Sequence, residues 1–400
     1  MRTACALALA VLLSTGCTDM APGPVTDPLD EPIQGLDGLW RERFVSGHTL
    51  FHEVYVDATG LGPVYIRADC ASCHAGDGRS LGTIGKMAIL GADGLPLRMP
   101  AALPYGATVR PLRTSGATLG IEPPMGVDGL FVANRVPPGL VGRGYLEAIA
   151  DSELERVEAA QAALGGIVSG RANRVAYASL ESADLAFHAH LAGDPVLGRF
   201  GVKARSATID DFVADAFQSD LGLTSALRTE ELPNPDGLVD DDVPGIDVDR
   251  ERVSRVADYL RLLAIPPRTH TAGTRGEALF RELGCESCHV PSLHTRADYP
   301  IAQLANIEAP IYSDLLLHEM GGALSDGQLD GDASASEFRT SPLIGLRFFR
   351  RFLHDGRAPS VDDAIRFHGV EGSEAAGTAT AFEALAPADR DELVRFVTAL

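Results

Sequence analysis

The chain is poor in several residue types, and each shortage excludes something. Of 400 residues, six are cysteine and one, Trp40, is tryptophan. Six cysteines cannot staple a chain this long, and none is needed, because the length allows two or three domains with their own cores. Basic residues are also scarce. Lys and Arg number 34 against 55 Asp and Glu, a net charge of −21 with a pI near 4.9. That balance repels phosphate backbones and anionic lipid, so nucleic-acid binding is excluded; a solvated acidic surface or a soluble cationic partner remains. Beyond the first residues, no run approaches the roughly 20 apolar residues of a membrane-spanning helix. What is plentiful is glycine, 42, and proline, 25. Long ordered loops between short helices are expected.

The N-terminus reads as an export signal: Arg2 gives the charge, residues 4–13 the apolar stretch, and Ser14-Thr15-Gly16 the small-residue run. Leu13-Ser14-Thr15-Gly16-Cys17 resembles a bacterial lipoprotein box, in which Cys17 becomes the lipidated first residue. The usual leucine three places before the cysteine is Ser14 here, so a plain secretory signal is the alternative. Residues 19–32, rich in Pro, Asp and Gly, read as a tether.

Cys5 leaves with the signal and Cys17 is the candidate anchor, so four cysteines remain. They fall in Cys70-Ala71-Ser72-Cys73-His74 and Cys285-Glu286-Ser287-Cys288-His289. Cys-x-x-Cys-His is the attachment signature of c-type haem: two thiols on one turn reach the two vinyl groups, and the histidine ligates iron. Disulfides, a structural zinc site and a thioredoxin-like pair are the competing readings. Two covalently bound haems fit best, because both pairs precede histidine and no βαβ pattern follows.

The motifs begin about 215 residues apart, which suggests two cytochrome-like halves. Gly-x-x-Leu-Phe occurs at residues 47–51 and 276–280, before each motif. Arg135-Val136-Pro137-Pro138 and Arg339-Thr340-Ser341-Pro342 follow them. Helices are expected at 152–164, 182–191 and 206–218, each opened by a serine cap, and after a linker at 234–249. The last of these carries a stripe of Val253, Val256, Ala257, Leu260 and Leu263, ended by Pro266-Pro267. A terminal helix over 387–400 repeats the stripe. Strand signals are few, so the expected class is mainly α: two cytochrome c-like haem domains with long Gly/Pro-rich loops and inserted helices. The expected division is 1–16 signal peptide, 17–39 tether, 40–245 N-terminal haem domain and 246–400 C-terminal haem domain.

Six segments carry a resemblance: residues 61–65, 169–175, 198–201, 313–321, 352–358 and 364–369. Together they make the chain, from about residue 40 to its end, similar to the bacterial di-haem oxidoreductase family. Its members are described as peroxidases, sometimes labelled thiol oxidoreductases, and are distant relatives of the di-haem cytochrome c peroxidases. The sequence departs from the family at Ile66, commonly Asn, and at Val202, Phe338 and Ile344, commonly aromatic and often Trp. Related peroxidases relay electrons through a tryptophan between the haems, and Trp40 lies upstream of both motifs. The thiol-oxidation label gains no support, since every mature cysteine already has a role.

The motifs make His74 and His289 the proximal ligands. The resemblance implies His368 as the distal ligand of the second haem, with a helix-capping histidine as the alternative. For the first haem, His318, Met320, Met125 and an open site all stand, His318 also as a propionate contact. His354 is expected to pack within a turn. A peroxidase needs a group that shifts a proton between the oxygens of bound peroxide, and the resemblance points to Glu147; a surface carboxylate is the alternative. Arg135 and Arg339 are candidates for haem propionates. Asp326, Asp330 and Asp332 have calcium-like oxygen spacing without matching an EF-hand loop. The resemblance further implies a small redox protein or quinol-linked donor, peroxide or another small oxidant as acceptor, and an imelysin-type protein as partner. The expected function is an exported di-haem oxidoreductase of peroxidase type, periplasmic and held to a membrane only through Cys17. The alternative is an electron-transfer cytochrome with both irons six-coordinate.

Overall fold

The computed structural model describes residues 27–74, 83–177, 185–188, 190–191, 195–238, 244–269 and 272–400. The export signal, Cys17 and the start of the helix expected at 182 lie outside the described residues. Among the described residues no helix is long and apolar enough to cross a membrane.

The helices are α1 (Gly38–Phe51), α2 (Ala71–His74), α3 (Arg143–Ala148), α4 (Asp151–Leu164), α5 (Leu185–His188), α6 (Ile209–Ala216), α7 (Arg250–Leu262), α8 (Arg275–Glu282), α9 (Val361–Phe367), α10 (Ala376–Glu383) and α11 (Pro387–Ala399). The strands are β1 (Val64–Tyr65), β2 (Ile84–Ile89), β3 (Leu112–Arg113), β4 (Leu130–Arg135), β5 (Arg174–Val175), β6 (Val196–Leu197), β7 (Leu293–His294), β8 (Glu308–Ala309), β9 (Leu317–Glu319) and β10 (Glu337–Arg339). They pair antiparallel as β1–β3, β2–β4, β5–β6, β7–β8 and β9–β10.

The class is therefore mixed, with 34% helix and 15% strand, and the mainly α expectation is corrected. The reason lies in the Gly/Pro-rich segments. Their backbone groups need partners once buried, and they find them in one another, four of the five ladders being of two or three residues, too short to leave an alternating pattern. The longest, β2–β4, pairs Ile84 with Arg135 through to Ile89 with Leu130.

Helix ends follow local chemistry. Asp37, Thr208, Asp249, Thr274 and Ser360 cap α1, α6, α7, α8 and α9 by accepting from backbone N–H groups of the first turn. The helix expected from Ser206 thus starts one cap later, and it runs on into a π-helical turn, Phe217–Leu221.

Two helix crossings organise the chain. α1 packs on α7, where the rings of Phe44 and Phe51 each lie 5.2 Å from that of Tyr259. α8 packs on α11, with Phe280 and Phe396 at 5.5 Å. At each crossing a glycine lets the backbones touch. A Cβ on Gly47 would stand 2.1 Å from the Arg255 carbonyl oxygen, and one on Gly276 2.3 Å from that of Glu392. Because α7 closes on α1, it completes the N-terminal unit rather than opening the C-terminal one. The expected boundary at 245/246 thus falls between two helices that pack together. The stripe on α7 was legible, but its partner helix was not.

Candidate functional site: two cavities, one on each motif

Each Cys-x-x-Cys-His motif opens into its own cavity. The C-terminal cavity has a volume of about 260 Å³ and the N-terminal one about 80 Å³.

Cys285, Cys288 and His289 line the C-terminal cavity, and His368, at the end of α9, lines it too. The two imidazole centroids are 6.5 Å apart. A separation of that size leaves room for one metal atom between the two rings, at about 2 Å from a nitrogen of each. Both rings have Nδ1 engaged by a carbonyl, Tyr312 O at 3.1 Å for His289 and Ala364 O at 2.7 Å for His368. That bond fixes the tautomer whose Nε2 carries the free lone pair. Burial pushes the His289 imidazole down to about 4 and lowers that of His368, so both stay in the neutral, ligating form. Arg339 also lines this cavity. It donates to the carbonyls of Gly201 and Thr340, has no carboxylate partner among the described residues, and is lowered to about 10 by burial. A buried guanidinium lacking an anion is what a haem propionate would complete.

The structure places His318 in this same cavity and not beside His74. Its Nδ1 lies 2.7 Å from Glu374 and its Nε2 2.9 Å from Asp314. Burial opposes the charge on this imidazole, but the two carboxylates outweigh it and hold the pKa well above the usual histidine value. With both nitrogens occupied, the ring is a charged link 3.7 Å from Cys288 Sγ. Met320 joins the C-terminal lining, whereas Met125 is exposed. His354 lies in the cavity wall, stacked at 4.0 Å on Phe338.

The N-terminal cavity is lined by Cys70, Cys73 and His74 from the motif, Phe51 from α1, four residues of α6, and Val256 and Leu260 of α7. Among the described lining residues, His74 is the only histidine and there is no methionine. The Nδ1 atom of His74 is buried without a partner, an orphaned polar group that fits a ring whose orientation awaits a bound metal. Burial, and then Arg143, push this imidazole down to about 4. Asp69 and the half-buried Asp220, in the π turn, both face the cavity, Asp69 while accepting from Ser72 N. Burial pushes the Asp220 carboxyl up to about 6 against the pull of Lys86.

Pro138, Gly139 and Arg143 line both cavities, so one stretch of chain forms the wall between them. No tryptophan belongs to it. Trp40 packs edge-on against Phe187 at 6.0 Å, away from both cavities.

Glu147 lines neither cavity. Its carboxylate accepts from Arg261 Nε at 2.6 Å and Nη2 at 3.2 Å, from Ile209 N at 2.8 Å and from the Tyr299 hydroxyl at 2.9 Å. Arg261 also holds Asp210 and Asp258, and His188 lies 3.2 Å from Asp210. Glu147, His188 and Asp210 converge as metal ligands would, but the guanidinium already supplies their positive charge. The acidic loop is likewise engaged. Asp326 and Asp330 pair with Arg135, and Lys203 sits 3.4 Å from Asp326. Neither aspartate joins a metal-ligand cluster among the described residues, so Arg135 serves this loop rather than a cavity.

Asp220 was not singled out by sequence, because nothing local marks one aspartate among many. A signal did exist nearby: Arg205-Ser206-Ala207-Thr208-Ile209-Asp210-Asp211 parallels Arg357-Ala358-Pro359-Ser360-Val361-Asp362-Asp363.

A family model described as "Di-haem oxidoreductase, putative peroxidase" matches residues 125–400. No curated protein matches the sequence. Among solved structures, the chain is similar to Kuenenia stuttgartiensis hydrazine synthase, with 14% identity over 98% of this chain and 100% of that one, at a TM-score of 0.36.

Proposed function

Because the chain belongs to the di-haem oxidoreductase family, we propose that it carries two covalent c-type haems and reduces a small peroxide at the N-terminal one. The observation that carries this reading is the asymmetry of the cavities. Two imidazoles face each other across the C-terminal cavity, whereas among the described lining residues a single imidazole serves the N-terminal one. A capped iron exchanges electrons without binding substrate, and an iron with a free position can take a small ligand. Bound haem supplies redox equivalents one at a time.

The net reaction joins hydrogen peroxide, two electrons and two protons to give two waters. His289 and His368 hold the electron-receiving group, and Arg339 neutralises its buried propionate. His74 holds the other. Asp220, a half-buried carboxyl in the lining of this cavity, would take the proton from one peroxide oxygen and return it to the other, so that water rather than hydroxide departs. Electrons would pass directly across the wall formed by Pro138, Gly139 and Arg143, with no tryptophan among the described residues lining either cavity. The donor is a small redox protein or a quinol-linked carrier on the exported side, where the Cys17 anchor would hold the chain.

The test is rapid mixing of half-reduced holoprotein with hydrogen peroxide, followed by steady-state turnover with a reduced donor dye. Loss of the ferrous signal with peroxide-dependent turnover is expected. Rates no higher than those of a haem c peptide would refute the enzyme and leave an electron carrier.

A further inference from the structure

Resting on that reading, we infer that Ala216 occupies the distal-ligand position of the N-terminal haem, and that the open site arose where one copy of a repeated helix carries alanine in place of histidine. The two units repeat each other residue by residue around their cavities. Gly47 and Gly276 are the contact points of the paired helices. Val256 and Leu260 of α7 line one cavity as Leu393 and Val397 of α11 line the other.

The equivalence extends to α6 and α9. Each follows a tight antiparallel turn, bridged Phe200 to Ser206 in one unit and Phe352 to Ala358 in the other. The turns share a left-handed residue in the same place, Ala204 at φ 51° and Gly356 at φ 74°. Thr208 caps α6 through Asp211 N at 3.2 Å, and Ser360 caps α9 through Asp363 N at 3.1 Å. From these caps, Ile209, Phe212, Val213 and Ala216 face the N-terminal cavity, and Val361, Ala364, Ile365 and His368 face the C-terminal one. The spacing is identical, so the position that presents an imidazole in one unit presents a methyl group in the other. A methyl group has no lone pair. It leaves space over the His74 side for a small exogenous ligand, and the π turn that continues from Ala216 brings Asp220 to the same cavity.

The experiment compares wild type, Ala216→His, Ala216→Met and His368→Ala as purified holoproteins, by electron paramagnetic resonance and by cyanide titration in oxidised and half-reduced forms. Wild type is expected to show one high-spin ferric haem and one cyanide site. Ala216→His should convert that signal to low spin. A tethered ligand in place about 99% of the time raises the apparent cyanide Kd about 100-fold. Ala216→Met, with a flexible thioether, should do the same should the imidazole variant fail to fold. His368→Ala should add a second high-spin haem. High-spin character and cyanide affinity unchanged in both Ala216 variants would overturn the assignment and leave the peroxidase reading intact. Two low-spin haems in wild type, in both redox states, would remove the open site and the reading with it.

Discussion

Glu147→Gln separates a structural carboxylate from a catalytic one. Each Glu147 oxygen accepts twice: Oε1 from Ile209 N and Arg261 Nη2, and Oε2 from Arg261 Nε and Tyr299 OH. A glutamine amide offers one oxygen, so whichever way it turns, its NH2 group faces two donors. Two contacts become donor against donor, and hydrogen bonds to charged groups contribute roughly 1.5–3 kcal/mol each. Breaking a buried ion pair from one side costs about 3–5 kcal/mol, and we expect a loss in that range. Burial pushes the Glu147 carboxyl up, but Arg261 outweighs it and holds the group below its ordinary value. The stabilisation from this carboxylate is therefore present above the unfolded carboxyl pKa and is lost as pH falls through the depressed folded one. In the variant that acid-side loss should shrink. The assay is denaturant unfolding of the holoprotein by far-ultraviolet circular dichroism, with peroxide turnover measured on the folded side of the transition. A buffer of pH 7 keeps the carboxylates ionised. The reasoning predicts a lower midpoint with turnover per folded molecule unchanged. It is refuted by a variant within about 1 kcal/mol of wild type in stability whose turnover has dropped by the 10²–10⁴ expected for a lost acid–base group.

Asp220→Asn should remove an activity limb near pH 6 and cost about 10²–10⁴ in turnover. Burial raises this carboxyl to about 6 amid Lys86, Asp215, Arg205 and Ser219, so wild-type turnover should rise with pH through that value, as a base must first be deprotonated. His318→Leu leaves Asp314 and Glu374 without their shared cation and should cost about 3–5 kcal/mol. Its raised pKa means that this stabilisation is complete below pH 6.5 and fades as pH rises through the folded value, which unfolding at pH 6 and pH 9 would reveal. Gly276→Ala puts a methyl group 2.3 Å from the Glu392 carbonyl; forcing α8 from α11 should cost about 1–3 kcal/mol, read as a lower unfolding midpoint. Replacing Cys285 and Cys288 with alanine should leave one haem of two covalently attached on a denaturing gel, and a full complement would refute thioether attachment there.

The chain alone pointed to haem, in agreement with the family match, because Cys-x-x-Cys-His is local chemistry within one turn. The stripes of α7 and α11, the span of α4 and the echo of Gly-x-x-Leu-Phe at 47–51 and 276–280 were legible too, though no serine caps α4 and α1 was not foreseen. The mixed fold escaped it because two-residue ladders such as β1–β3 and β7–β8 join segments that carry no pattern of their own. Glu147 and His318 looked like site residues by type, yet their roles depend on partners far along the chain: Arg261 and Tyr299 for one, Asp314 and Glu374 for the other. Only the tertiary structure set His368 across from His289 and Ala216 in the corresponding place over His74. A distal position is fixed by how two distant helices pack around a cavity, and that distance in space is written nowhere in the order of residues.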